Sequence, residues 1–145
     1  MTDPGLTTFI VVAFVFQLVL IVHFALRRWA FPLAMRYGWV VYALSVPALI
    51  VSFVLSLRGE AWSFWLAGYL YFTWAIYGYL VEYVRGIEWR SPFRISIGVP
   101  YVLLYLATNL FYWFPLGLIA RSLWYLFTVH FVISTVLNLS SHRRA

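Results

Sequence analysis

The chain has 145 residues, of which 65% are hydrophobic and 10% charged, and its formal net charge is +6. Ordinary soluble domains have about 25% charged residues, and a soluble fold of this length has too little interior to bury so many apolar side chains. The composition therefore predicts a polytopic integral membrane protein, built as one all-α domain over residues 1–145 with lipid as its main solvent.

Two absent residue types exclude several classes of protein. The chain has no cysteine and no lysine, and all its basic residues are arginines. Disulfides, thiolate metal sites, thiol nucleophiles and Schiff bases to retinal or pyridoxal phosphate are therefore excluded. The arginines flank apolar runs and form no soluble basic patch, which argues against nucleic acid and favours membrane lipids as partners. We expect no metal ion.

Five apolar runs approach the length of about 20 residues that a helix needs to cross roughly 30 Å of hydrocarbon. They predict spans at about residues 7–26, 38–57, 62–84, 96–113 and 118–139. Pro47 predicts a kink in the second span. The stretch 114–117, Phe-Pro-Leu-Gly, predicts a tight turn between the last two. Arg121 leaves an alternative open, in which a long broken helix over residues 96–120 precedes a shorter one.

The arginines orient these spans. Eight of the ten lie in segments 27–37, 85–95 and 140–145, which five crossings would place on the same side of the membrane. Arginine-rich short loops stay in the cytoplasm, so we expect the N-terminus outside and the C-terminus inside. The first basic loop mixes arginine with apolar residues and is expected to lie in the headgroup plane. A lysine-free chain without a recognisable targeting peptide fits a prokaryotic cytoplasmic membrane best.

Two ionisable residues within the spans are catalytic candidates, because unpaired ionisable groups are costly in lipid. His23 and Glu82 match in depth, in the cytoplasmic halves of the first and third spans. If these spans touch, the pair could share a proton or hold a lipid headgroup, with Arg28 and Arg85 contacting its phosphate. The simpler interpretation is an ion pair between Glu82 and Arg85, three residues apart, that only fixes helix packing.

Spans three and four carry tyrosine-rich faces that could enclose an aromatic cavity for a flat or elongated apolar ligand. The candidate ligand-binding residues are Tyr69, Thr73 and Tyr83 on span three, and Tyr101, Tyr105, Thr108, Asn109 and Tyr112 on span four. Plain aromatic packing, with the hydroxyls bonded to neighbouring groups, is the alternative interpretation.

The fifth span has the most polar face. His130, Ser134 and Asn138 follow one another at intervals of four residues, so we expect this strip to face the interior and add further ligand-binding candidates. Axial ligation of a haem by His23 and His130 fits poorly, because their depths differ by about 9 Å at 1.5 Å per helical residue. We expect no cofactor.

The scarcity of ionisable groups favours a non-enzymatic protein: an accessory subunit of a membrane complex, or a binder of an apolar ligand or lipid. Its partners would be membrane lipids and a protein partner or further copies of the chain. The alternatives are a lipid-modifying enzyme that uses His23 and Glu82 near the cytoplasmic face, and a small oligomeric carrier or channel, which requires a continuous polar path.

Overall fold

The computed structural model describes residues 3–142, and within them the fold is all-helical. The helices are α1 (Pro4–Trp29), α2 (Phe31–Tyr37), α3 (Trp39–Ala43), α4 (Ser45–Leu57), α5 (Trp62–Tyr79), α6 (Ile95–Ile119) and α7 (Arg121–His142), and α5 continues into a π-helical turn (Leu80–Val84). Two arginines used to predict the orientation, Arg143 and Arg144, lie outside the described residues.

The all-α membrane fold that the composition predicts is confirmed in its coarse form. Among the described residues, four helical stretches are long and apolar enough to cross a membrane. They are Pro4–Trp29, Phe31–Leu57, Ile95–Ile119 and Arg121–Ser141. The predicted third span, at residues 62–84, is one continuous rod formed by α5 and the π-helical turn.

The first basic segment, for which we expect a position in the headgroup plane, is helical. Ala30, with φ −142° and ψ 60°, is the whole connection between α1 and α2. Beyond it, α2, α3 and α4 follow one another through Gly38 and Leu44, both of which keep helical backbone angles. The interruption at Leu44 lies three residues before Pro47, whose missing N–H and ring disturb the preceding turn of a helix.

The predicted turn at residues 114–117 is wrong. Helix α6 continues through Pro115 to Ile119, and the chain breaks at Ala120, which has extended backbone angles of φ −159° and ψ 135°. A proline can remain in a membrane helix where neighbouring helices cover the disturbed backbone, and Pro115 is buried. Residues 96–139 therefore form two full-length helices with a one-residue break between them.

The long helices pack in a closed ring. Helix α4 packs on α5, α5 on α6, α6 on α7, α7 on α1, and α1 closes the ring against α2, α3 and α4. Successive helices in the chain are thus neighbours in space, as short connections between antiparallel helices require.

The centre of the ring is filled by aromatic side chains around Trp74, which is 1% exposed. The rings of Tyr42, Tyr71, Tyr101 and Tyr105 have their centroids 5.5–5.9 Å from that of Trp74. Rings at such distances interact favourably when tilted or edge-on to each other. The deep tryptophan thus has packing partners from the helices around it.

Candidate functional site

A polar cleft of about 660 Å³ opens at one end of the bundle. We call this the basic end, because α1 ends there with Arg27 and Arg28 and the loop after α5 brings Arg90. The polar residues that line the cleft are His23, Arg27, Arg28, Glu82, Glu88, Arg90, Ser91 and Ser141. The structure thus brings His23, Glu82 and Arg28 to one site, as their matched depths predict.

The π-helical turn at the end of α5 aims Glu82 into the cleft. The Arg85 amide donates to the Leu80 carbonyl, five residues back, at 2.9 Å. Such single wide turns occur frequently at functional sites. Because the wider turn changes the angle between successive side chains, the i,i+3 relation of an α-helix is lost here, and Arg85 is exposed and absent from the cleft lining.

Glu82 pairs with Arg90, which corrects the predicted pairing with Arg85. One carboxylate oxygen accepts from the Arg90 guanidinium, and the other accepts from the Tyr42 hydroxyl at 2.8 Å. The Tyr101 hydroxyl lies 3.2 Å from that of Tyr42 and 3.4 Å from Arg90 Nη2. This cluster joins α3, the π-helical turn, the following loop and α6 at the floor of the cleft.

Arg90 is held charged inside this cluster. Its guanidinium carbon lies 4.3 Å from the centroid of the Trp89 ring and 5.4 Å from that of Tyr101, within the range of cation–π attraction. Burial alone would lower the pKa of Arg90, but Tyr101 and the Glu82 carboxylate more than offset it and raise the pKa above its usual value. Arg90 therefore remains protonated beside the Glu82 carboxylate.

Arg27 and Arg28 have no carboxylate partner within residues 3–142. Each guanidinium lies over an aromatic ring, Arg27 at 5.6 Å from Phe31 and Arg28 at 5.2 Å from Trp29. The Nε atom of Arg28 is buried and has no hydrogen-bond partner among the described residues. Since buried polar groups are normally hydrogen-bonded, this N–H is a donor that the cleft leaves available.

His23 lies on α1 beside Gly38, the residue before α3. A Cβ atom on Gly38 would lie 3.0 Å from His23 Cε1 and 2.7 Å from the Tyr83 hydroxyl, so only glycine allows these side chains to meet. Tyr83 also lines the cleft. His23 thus borders the cleft beside the Tyr83 hydroxyl. In the sequence it lies four and five residues before Arg27 and Arg28.

The α6 half of the predicted tyrosine-lined site is buried, whereas much of the α5 half points elsewhere. Tyr101, Tyr105, Thr108, Asn109 and Tyr112 are all buried. Tyr101 and Tyr105 contact Trp74 of α5, while Thr73 is exposed and donates to the Tyr69 carbonyl of its own helix at 2.9 Å. The sequence interpretation placed the wrong face of α5 against α6, because aromatic residues cover α5 on all sides.

A buried polar triad joins α1, α6 and α7. The Gln17 amide donates to the Asn109 side-chain oxygen, and the Ser134 hydroxyl donates to Gln17 Oε1 at 3.1 Å. Asn109 in turn donates to the Tyr105 carbonyl at 2.8 Å. Two of the predicted ligand-binding residues, Asn109 and Ser134, therefore have protein partners that lock three helices together.

His130 and Asn138, the other predicted ligand-binding residues of α7, do not line the cleft. His130 Nδ1 is 2.7 Å from the Leu126 carbonyl, and its ring packs edge-on against Phe14. The Asn138 carbonyl accepts from the Ser141 hydroxyl at 2.7 Å. His23 and His130 thus occupy different surroundings. Among the described residues, no group of three or more histidine or acidic side chains is placed to hold a metal ion.

The sequence reasoning missed Arg27, Arg90 and Tyr42. Arg27 adjoins the predicted Arg28 and could have been found by depth. Arg90 could not, because it lies in the irregular loop after the π-helical turn, where no helical period relates it to Glu82. No protein-family model, no curated protein and no solved structure matches the chain, so the function is argued from this geometry.

Proposed function

We propose that this protein crosses the membrane five times and binds the phosphate-bearing headgroup of an anionic lipid in the cleft at its basic end. One observation carries the proposal: Arg27 and Arg28 line the cleft without a carboxylate partner among the described residues, and the Arg28 Nε is a buried donor left unused. Arginine is well suited to phosphate, because its planar group donates two parallel hydrogen bonds.

Five crossings are supported by the course of α5. It begins beside the start of α1, where the Phe9 and Phe64 rings are 5.6 Å apart, and it ends at the cleft beside His23 at the other end of α1. The rod thus runs alongside most of a helix that is itself long enough to span the membrane. Its many tyrosines and tryptophans make it less apolar than the four other long helical stretches. Of these rings, Tyr71 and Trp74 are buried in the ring of helices, whereas Trp62 and Tyr79 are exposed.

With five crossings, the arginine distribution puts the basic end in the cytoplasm. Since the chain has no cysteine, a single introduced one gives a unique label. We expect Glu60→Cys, before α5, to react with an impermeant thiol reagent in intact cells, and Glu88→Cys, in the cleft loop, to react only after permeabilisation. The two variants are matched, since each removes one carboxylate. The reverse labelling pattern would show that the molecule is inserted the other way.

The charge of the cleft favours an anion. Glu82 and Arg90 neutralise each other, which leaves Arg27 and Arg28 against Glu88. Glu88 is exposed, so solvent screens its charge more than it screens that of the half-buried arginines. Both arginines also end α1 at the depth where headgroups lie, so a lipid phosphate can reach them without leaving the interface.

We expect the double variant Arg27→Gln/Arg28→Gln to bind phosphatidylglycerol at least about tenfold more weakly than the wild type, because each arginine near an anionic group contributes roughly 1 kcal/mol. Retention of the lipid can be measured by native mass spectrometry after reconstitution in nanodiscs. The matched control is Arg36→Gln/Arg94→Gln, which removes two exposed arginines that do not line the cleft.

The control variant is expected to bind within about twofold of the wild type, since scattered surface charges are largely screened. Equal weakening in both double variants would mean that the lipid responds only to the total charge of this end. Equal binding of phosphatidylglycerol and phosphatidylcholine would argue against recognition of an anionic lipid.

A lipid-modifying enzyme is the second candidate, because His23 and Glu82 line the same cleft. Against it, both oxygens of Glu82 are engaged by Arg90 and Tyr42, so this carboxylate is poorly placed to move protons. The remaining proton-transfer group is His23. The same lipid-loaded samples distinguish binding from catalysis. An enzyme would form a modified lipid in the wild type, and the His23→Gln variant would bind the lipid without forming this product.

A further inference from the structure

An apolar groove of about 270 Å³ lies on the outer face of α1, between it and helices α2 and α3. Leu18, Val22 and Leu26 line it from α1, and Tyr37 and Val40 line it from the opposite side. The groove is thus a hydrocarbon-lined channel on the surface of the bundle, separate from the filled aromatic centre.

The groove adjoins the cleft. His23 and Ala34 line both of them. Ala34 is buried and presents only a methyl group at this boundary. A molecule whose polar part lies in the cleft therefore has the groove as its nearest apolar neighbour on this side of α1.

The groove opens towards lipid and has the length of an acyl segment. Leu18 and Val22 are 50% and 57% exposed, in a helix that contains an 18-residue stretch with a mean hydropathy of 2.8, which fits a membrane span. From Leu18 to Leu26 the groove follows α1 for about 12 Å at 1.5 Å per residue. This is most of the depth of one leaflet, whose share of the hydrocarbon core is roughly 15 Å.

We propose that an acyl chain of the anionic lipid occupies this groove while its headgroup lies in the cleft, so that the lipid enters sideways from the leaflet at the basic end. The inference rests on the proposed function. A soluble anion would use the cleft alone, whereas a lipid uses both the arginines and the groove. The acyl chain is already in hydrocarbon before it binds, so it gains no hydrophobic free energy on entering the groove. The groove therefore holds the acyl chain by packing contacts and distinguishes lipids by the shape of their acyl chains.

The test uses phosphatidylglycerol with a photoreactive diazirine in its acyl chain, in nanodiscs of phosphatidylcholine. We expect illumination to label the stretches 18–26 and 34–41. Two groove-filling variants, Val22→Trp and Leu18→Trp, should each lower this labelling at least about fivefold, because the indole occupies the space of the chain. The control Val11→Trp adds the same ring two turns before Leu18 on α1, at an exposed residue outside the groove.

The arginine variant Arg27→Gln/Arg28→Gln should also lower groove labelling, which would support both the groove and the cleft as parts of one site. If lipid retention depends on the arginines but labelling spreads over the outer surface and resists both tryptophan variants, the groove proposal is overturned and the headgroup site remains. If the arginines affect neither retention nor labelling, the proposed function fails, and the lateral-entry proposal with it.

Discussion

Replacement of Gly68 by valine is expected to prevent α4 and α5 from packing, with a loss of about 3 kcal/mol or more in the free energy of unfolding. A Cβ atom at position 68 would lie 2.5 Å from the Ala48 carbonyl oxygen and would also meet the Ser52 side chain. The carbonyl belongs to the backbone of α4, so it cannot move away unless the whole helix does. Small residues at such crossings let membrane helices approach closely.

The Gly68→Val variant should therefore yield little monodisperse protein on size exclusion in mild detergent and should unfold at a lower denaturant concentration. Thr73→Val is the matched control, because it places valine on the same helix at an exposed position. Gly68→Ala should lie between them. A Gly68→Val protein that elutes and unfolds like the control would show that α4 and α5 do not cross as described.

Glu82→Gln is expected to destabilise the basic end by about 2–3 kcal/mol, somewhat less than the 3–5 kcal/mol typical of a fully buried pair that loses one partner. The side chains of Arg90 and Glu82 are only 15% and 17% exposed, so the uncompensated guanidinium would have little water to solvate it. The glutamine keeps the size of the side chain and can still accept a hydrogen bond from Tyr42, which isolates the loss of charge.

The control for this variant is Glu88→Gln, an identical change at an exposed residue of the same cleft, and it should cost less than about 0.5 kcal/mol. The double variant Glu82→Gln/Arg90→Gln should recover part of the loss, because it removes the charge that the single change leaves unpaired. Thermal unfolding in detergent would measure all three. Equal destabilisation by both single changes would contradict a structural role for the pair.

Depth along the helices could be predicted from the sequence, whereas rotation about them could not. His23 and Glu82 share the cleft because position along a spanning helix translates into depth at 1.5 Å per residue. The facing side of α5 escaped prediction, because a helix with aromatic residues all round has no apolar stripe to mark its inner face. Thr73 and Trp74 are adjacent in the sequence, and only contacts with α6 show which of them lies inside.

The pairing of Glu82 illustrates a second limit. Arg85 is the partner that an α-helix would supply, and the π-helical turn removes it by changing the local period. Arg90 reaches the carboxylate from a loop whose course depends on tertiary contacts, including the Trp89 ring against Tyr101 at 4.7 Å. Likewise, the break at Ala120 could not be read from the Pro-Leu-Gly signal, because neighbouring helices cover Pro115 and allow the helix to continue.

The triad of Gln17, Asn109 and Ser134 has a consequence for the order in which the protein is made. Gln17 lies on α1, but its partners lie on α6 and α7, which are synthesised after it. Until those arrive, its amide is exposed to lipid without its native hydrogen bonds, a state that costs free energy. Helices α6 and α7 thus complete the hydrogen bonds of Gln17, and a nascent chain that stops before α6 carries an unsatisfied polar group in α1.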